Sequence, residues 1–207
     1  MNKTEVLAWI KRTRIVPVIR AASSDEAFRI VDALIEGGID VLEITMTVPG
    51  AVDTIRDLAK RTDALVGAGT VLDPGTAQAC IDAGARFIVS PALNVETIKT
   101  CLASDIVCAP GALTPTEVVN AFNAGGDVIK VFPCDALGGA TYLKSLKAPL
   151  PHIPLMPTGG VSLNTIRAFL DAGAVAVGVG SSLVDPKLSH EELVARARAF
   201  RAQVENR

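Results

Sequence analysis

The sequence alternates from end to end between short apolar runs and longer segments with helical periodicity. Each run has five or six residues, lies between Gly, Pro or polar residues and is rich in β-branched side chains, which is typical of buried β-strands. The eight runs are IVPVIR (15–20), VLEIT (41–45), LVGAG (65–69), RFIVS (86–90), IVCAP (106–110), VIKVF (128–132), PLMPT (154–158) and VAVGVG (175–180). Strands without polar alternation are buried on both faces, as in parallel sheets. This order predicts an α/β protein.

An internal repeat indicates how these units are arranged. Four helical segments end in a Gly-bearing turn that leads into a strand: EGGIDVLEIT, DAGARFIVSP, NAGGDVIKVFP and DAGAVAVGVGS. Their glycines, Gly38, Gly84, Gly126 and Gly173, are 46, 42 and 47 residues apart, and each interval holds two βα units. Eight units predict a compact (β/α)8 TIM barrel, with residues 1–207 as one domain and an extra N-terminal helix at about 3–11. The alternative is an open doubly wound sheet, which would favour a GxGxxG turn where this sequence has RAASS.

Polar side chains mark the predicted helix starts. Four Asn, Ser or Thr residues are followed three positions later by Glu, the pattern of a capping box: Asn2 with Glu5, Ser23 with Glu26, Thr114 with Glu117, and Ser189 with Glu192. Further starts are predicted at Asp73-Pro74, Asn94 and Ser162.

Composition argues against several classes of partner. The net charge is −2 and no basic run interleaved with aromatic residues occurs, so we expect no binding to nucleic acid. No apolar stretch approaches the roughly 20 residues that span a bilayer, and the N-terminus lacks the apolar core of a signal peptide. Four cysteines without paired spacing suggest reduced thiols in a cytoplasmic protein. With two histidines in the sequence, neither a metal site nor another cofactor is expected.

Lys130 is the first candidate catalytic residue, because it is the one lysine flanked on both sides by apolar strand residues. Alternation places it on one strand face with Val128 and Phe132. If that face points into the barrel, partial desolvation favours the neutral amine, which is the form that attacks a ketone to give a Schiff base. The alternative is a lysine at the strand end that pairs with a carboxylate.

Glu43 is the second candidate, because it is the one Glu within a predicted strand. Alternation places it on the same face as Val41 and Thr45. Burial raises the pKa of a carboxyl group, and a pKa nearer neutrality suits proton transfer. The alternative is a structural ion pair with Lys130 or Arg20, and both interpretations can hold together.

Other polar groups follow the strand ends, where the active sites of (β/α)8 barrels lie. Arg20 closes the first strand and is a candidate for binding a carboxylate, or else a surface arginine. Glycine turns after the last two strands can present N–H groups to a phosphate, or else are turns only: Thr158-Gly159-Gly160 and Gly180-Ser181. Thr70 could donate to a substrate carboxylate, and Pro91 and Phe132 could form apolar walls.

In order, the motifs VPVIRA, VLEITMTVP, VGAGTVL, FIVSP, APGALTPTE, IKVFP, PTGGV and VGVGS resemble those of the 2-keto-3-deoxy-6-phosphogluconate (KDPG) and 4-hydroxy-2-oxoglutarate (KHG) aldolase family, from about residue 14 to 185. The resemblance implies a metal-independent class I aldolase that cleaves KDPG to pyruvate and glyceraldehyde 3-phosphate, in a homotrimer. It implies Lys130 as the Schiff-base amine and Glu43 as the general acid/base. It also implies carboxylate and pocket contacts at Thr70, Pro91 and Phe132, and phosphate contacts at Thr158, Gly159, Gly160, Gly180 and Ser181.

The sequence departs from one branch of that family at Thr47, where that branch has Arg four residues after the Glu. Another branch has Thr there and an Arg that closes the first strand, as Arg20 does here, so the resemblance implies that Arg20 supplies the cation.

Three other functions remain open from the sequence. The nearest is an aldolase for the galactonate epimer of KDPG or for unphosphorylated KHG, with the same Lys and Glu. A phosphosugar epimerase or isomerase would use the same glycine turns, and a non-catalytic barrel could bind small molecules without chemistry.

Overall fold

The computed structural model describes residues 1–205, in which helices alternate with parallel strands. The helices are α1 (Lys3–Thr13), α2 (Ser24–Glu36), α3 (Ala51–Arg61), α4 (Pro74–Asp82), α5 (Val95–Ala103), α6 (Pro115–Asn123), α7 (Ala140–Lys147), α8 (Ile166–Asp171) and α9 (His190–Glu205), with a 3-10 helix at Cys134–Leu137. The strands are β1 (Ile15–Ile19), β2 (Val41–Thr45), β3 (Leu65–Gly69), β4 (Phe87–Val89), β5 (Val107–Ala109), β6 (Gly111–Ala112), β7 (Ile129–Val131), β8 (Leu155–Pro157) and β9 (Val177–Val179).

Each of the eight predicted runs contains a strand, and the fifth leads into two. Pro110 separates β5 from β6 because proline has no N–H to donate to a strand ladder. Its carbonyl still accepts the Lys130 N–H at 2.9 Å, so the chain stays paired with the next strand.

The strands form two parallel sheets whose order follows the chain. One has the order β5-β4-β3-β2-β1-β9, and the other has the order β6-β7-β8. An isolated parallel bridge between Thr158 and Gly178 links the end of β8 to β9. The α/β prediction is confirmed. The order does not reverse beside β1, as it would in a doubly wound sheet, so that alternative is wrong.

Two apolar layers hold the sheet. The larger packs the outer faces of the strands against the helices, and a smaller inner cluster lies on the concave side. The inner cluster includes residues at or next to the beginnings of several strands, among them Val41, Leu65, Phe87, Val107 and Val128. Val6 and Ile10 of α1 belong to it, so the N-terminal helix covers the end of the sheet where the strands begin.

Local capping explains most helix starts. Complete capping boxes form at Asn2, Thr114 and Ser189 as predicted. At Ser23 half of the box forms, because the Glu26 carboxylate accepts from Ala22 N–H instead.

The predicted start at Ser162 is wrong, since α8 begins at Ile166. The Thr165 hydroxyl accepts the Ser162 N–H at 2.8 Å and donates to the Gly160 carbonyl at 2.7 Å, which holds residues 160–165 in a turn.

No helix among residues 1–205 is long and apolar enough to cross a bilayer.

Candidate active site

Lys130 and Glu43 meet on the concave side of the sheet. Val41 and Val128 belong to the inner apolar cluster, and alternation places Glu43 and Lys130 on the same faces, one step toward the strand ends. Lys130 Nζ lies 3.9 Å from Glu43 Oε1, and the two side chains are 6% and 1% exposed. The predicted pair is therefore brought together across the interior, from β7 of one sheet to β2 of the other.

The Glu43 carboxyl group is buried without a hydrogen-bond partner among residues 1–205. Burial raises its pKa above the ordinary value, and the positive charges of Lys130 and Arg20 oppose this in part. Gly69 on β3 makes room for the group, because a Cβ there would lie 2.0 Å from Glu43 Oε1. A carboxyl group with a raised pKa can give up a proton and take it back during a reaction, as a general acid/base does.

Lys130 lies between the aromatic ring of Phe132 and a glycine on the neighbouring strand. Its Nζ is 5.3 Å from the centroid of the Phe132 ring, within the range of a cation–π contact. On the neighbouring strand its register partner is Gly111. A Cβ on Gly111 would lie 2.2 Å from the carbonyl carbon of Pro91, so Pro91 packs directly beside this position.

Threonines connect the ends of β1 and β2. The Thr45 hydroxyl donates to the Ile19 carbonyl at 2.9 Å, and its oxygen is 2.6 Å from the Thr47 hydroxyl oxygen. Arg20, which follows Ile19, and Thr47 are both exposed, so their polar groups are available at this rim.

Thr70 follows Gly69 at the end of β3 with φ of 59°. This left-handed backbone is uncommon for a β-branched residue and is a form of strain that concentrates at functional sites.

A cavity of about 400 Å³ opens beside the pair. Of the predicted residues, it is lined by Arg20, Phe132, Thr158, Gly159, Gly160, Gly180 and Ser181. The Thr158 hydroxyl is buried and has no hydrogen-bond partner among the described residues. Gly159 and Gly160 have φ of 99° and 72°, which a side chain would strain.

The lining also contains Val18 and Asp135, which the sequence did not indicate, and four residues in or next to the glycine segments after the last two strands: Val161, Ser162, Gly178 and Ser182. Ser182 extends the predicted Gly180-Ser181 turn by one residue. Its hydroxyl donates to the Val161 carbonyl at 2.6 Å and so ties the two turns together.

Not all predicted residues line this cavity. The lining does not include Lys130, Glu43, Thr47, Thr70 or Pro91. Phe132 connects the cavity to the catalytic pair, because it lines the cavity and its ring lies 5.3 Å from Lys130 Nζ. Within residues 1–205 no group of three or more His, Cys, Asp or Glu side chains could hold a metal ion.

A buried amine lies beside a buried carboxyl group, next to a cavity lined by glycine turns. On an α/β scaffold this arrangement fits the active site of an aldolase. Comparison with known proteins agrees: the family model described as KDPG and KHG aldolase matches residues 6–199. The chain belongs to this family and is a carbon–carbon lyase of the aldolase type.

Two curated relatives and one solved structure illustrate the similarity. The 2-dehydro-3-deoxy-phosphogluconate aldolase of Haemophilus influenzae is 35% identical over 89% of this chain and 87% of its own. The 2-dehydro-3-deoxy-6-phosphogalactonate aldolase of Escherichia coli is 34% identical over 94% and 96%. The KDPG aldolase of Legionella pneumophila, solved with pyruvate captured as a covalent carbinolamine intermediate, has a TM-score of 0.82 and 30% identity over 98% of this chain and 96% of its own.

Proposed function

We propose that this protein cleaves KDPG reversibly to pyruvate and glyceraldehyde 3-phosphate through a Schiff base on Lys130, with Glu43 as the general acid/base. The observation that carries the proposal is the buried 3.9 Å approach of Lys130 Nζ to a Glu43 carboxyl group that has no other partner among residues 1–205. Burial raises the pKa of the Glu43 carboxyl group and so favours its protonated form, which can act as the acid in the first step.

The reaction begins with attack of the neutral Lys130 amine on the C2 ketone. Glu43 gives a proton to the departing hydroxyl as the carbinolamine loses water and becomes an iminium. Glu43 then accepts the C4 hydroxyl proton, the C3–C4 bond breaks, and its electrons move into the iminium to form an enamine. Glyceraldehyde 3-phosphate leaves, and Glu43 returns the proton to C3, which restores an iminium. Water hydrolyses the iminium to pyruvate and free amine, and the proton that is released returns Glu43 to its protonated form.

The surrounding residues hold the two ends of the substrate. Arg20, Thr47 and Thr70, at the ends of the first three strands, bind the carboxylate next to the reacting ketone. Pro91 and Phe132 provide apolar walls. The N–H groups of the glycine turns bind the phosphate with the hydroxyls of Thr158 and Ser181, at Thr158-Gly159-Gly160 and Gly180-Ser181. Fixing both ends aligns C2 with the amine, which can contribute several kcal/mol to catalysis.

The same proposal includes the finer architecture. Residues 1–207 form one domain with a closed (β/α)8 barrel, supported by the Thr158–Gly178 bridge between β8 and β9 and by the short step across Pro110 from β5 to β6. We also propose a homotrimer, by family resemblance, and residence in the cytoplasm, where the buried free thiols of Cys80, Cys101, Cys108 and Cys134 would stay reduced.

Substrate choice is tested by measuring pyruvate release from KDPG, from its C4 epimer and from KHG. We expect the largest kcat/KM for KDPG and a much smaller value for KHG, which lacks the phosphate. A larger value for the epimer, the substrate type named for the Escherichia coli relative, would replace KDPG with the phosphogalactonate compound. A larger value for KHG would remove the phosphate role from the glycine turns.

A further inference from the structure

Asp135 lies against the glycine turn that lines the cavity. It belongs to the 3-10 helix Cys134–Leu137, which follows the strand that carries Lys130. Its Oδ1 is 2.5 Å from the position that a Cβ on Gly159 would occupy, and its Cβ is 2.7 Å from the corresponding position on Gly160. The carboxylate therefore faces the turn, and Asp135 is part of the cavity wall.

The charge of Asp135 is unexpected at a phosphate site. Among the residues lining the cavity, Arg20 is the one cation and Asp135 the one anion. Asp135 is exposed, and its carboxylate accepts no hydrogen bond and forms no ion pair within residues 1–205, so it is available to a ligand. A carboxylate near a bound phosphate repels it, so its presence is unfavourable unless it contacts another part of the ligand. An ionised carboxylate accepts hydrogen bonds and donates none, so that part must carry a donor.

We propose that Asp135 determines specificity by accepting a hydrogen bond from the C5 hydroxyl group of the phosphorylated substrate. The inference rests on the proposed function and deepens it. Lys130 bonds to C2, Glu43 serves the C4 hydroxyl, and the glycine turns hold the phosphate on C6. Asp135 packs against the turn at Gly159 and lines the same cavity as Phe132, whose ring contacts Lys130, so its carboxylate lies at the phosphate end of the cavity, where C5 adjoins C6.

The same carboxylate disfavours a different class of substrate. In KHG the C5 atom is itself a carboxylate carbon, so two negative charges would face each other where KDPG offers a hydroxyl donor. Asp135 thus selects for a hydroxylated carbon next to the phosphate and against a dicarboxylate.

The test uses the synthetic direction with two aldehydes that differ by one hydroxyl group. Pyruvate is combined with glyceraldehyde 3-phosphate or with 3-oxopropyl phosphate, which lacks the hydroxyl that becomes the C5 hydroxyl. The measured quantity is the ratio of kcat/KM for the two aldehydes. Both carry phosphate, so any change in repulsion between residue 135 and the phosphate cancels in the ratio.

In the unaltered protein we expect a ratio of about ten or more in favour of glyceraldehyde 3-phosphate, the size of one hydrogen bond to a charged group. Asp135→Ala should reduce the ratio to about one to three, since the acceptor is gone. Asp135→Asn keeps a carbonyl acceptor, so it should retain part of the preference and raise kcat/KM for KHG. Asp57→Ala, on an exposed position of α3 outside the cavity lining, is the matched control and should leave the ratio unchanged.

A ratio near one in the unaltered protein would overturn the inference. The inference would also be overturned if the ratio in Asp135→Ala stayed within twofold of the ratio in the unaltered protein, even if both rates fell. A purely structural role would lower the rates with both aldehydes equally. If the unaltered protein joins pyruvate to neither aldehyde, the proposed function itself fails and the inference with it. Normal synthesis with an unaltered ratio would refute the role of Asp135 alone.

Discussion

Gly69→Ala should impair catalysis by moving Glu43 while leaving every catalytic group present. A Cβ on Gly69 would lie 2.0 Å from Glu43 Oε1 and 2.6 Å from its carboxyl carbon, whereas ordinary van der Waals contacts lie at about 3.5 Å or more. The Glu43 carboxyl group must therefore shift by about 1 Å or more, and a displacement of that size can cost about 10²-fold in rate. The backbone of Gly69 is not in the left-handed region, so alanine itself is tolerated there.

Stability should also fall, by about 1–3 kcal/mol, because the added methyl group overpacks the interior. The assays are kcat for KDPG cleavage and the free energy of unfolding from urea denaturation. Gly67→Ala is the matched control on the same strand and face, since the three atoms nearest to its Cβ, at 2.5 Å, all belong to the Phe87 ring and none to a catalytic group. We expect a similar loss of stability in both variants and a large loss of kcat in Gly69→Ala alone. Equal kcat in the two variants would refute the reasoning.

Three further changes have defined outcomes. Glu43→Gln should lower turnover by about 10²- to 10⁴-fold, as expected for loss of an acid/base group, in a pyruvate-release assay. Because the pKa of Glu43 is raised on folding, its contribution to stability is complete below its ordinary value of 4.5 and is lost as the pH rises through the folded pKa. Urea denaturation should therefore show the unaltered protein losing stability relative to Glu43→Gln as the pH rises above 4.5, and parallel curves would contradict this. Thr158→Val removes a buried hydroxyl without a partner among residues 1–205, so stability should stay equal or rise while KM for KDPG rises about tenfold; an unchanged KM would remove Thr158 from the phosphate site. Thr114→Ala removes the cap of α6 and should lower the free energy of unfolding by about 1 kcal/mol without changing kcat, whereas a fall in kcat alone would contradict a capping role.

The catalytic pair was accessible from sequence because it depends on alternation within single strands. Val41 and Glu43 share a face, as do Val128 and Lys130, and Val41 and Val128 both belong to the inner apolar cluster. The 3.9 Å separation was not accessible, because it depends on how β2 and β7, which belong to different sheets, approach each other across the interior.

The cavity wall shows where sequence reasoning stops. Asp135 lies on a 3-10 helix of four residues, which is too short to give a periodic pattern, and nothing in the sequence indicates that its carboxylate faces Gly159. The delayed start of α8 has a similar cause. The side chain of Thr165 hydrogen-bonds to the backbone N–H and the hydroxyl of Ser162, three positions earlier. These bonds hold a turn where the sequence predicts the first residues of a helix.

The account depends most on a Schiff base at Lys130. The direct test is incubation with pyruvate and sodium cyanoborohydride, followed by digestion and mass spectrometry, with Lys130→Arg as the control. We predict one reduced pyruvyl adduct, on Lys130, and none in the control. A folded protein that gives no adduct, or an adduct on another lysine that persists in Lys130→Arg, would contradict the central claim.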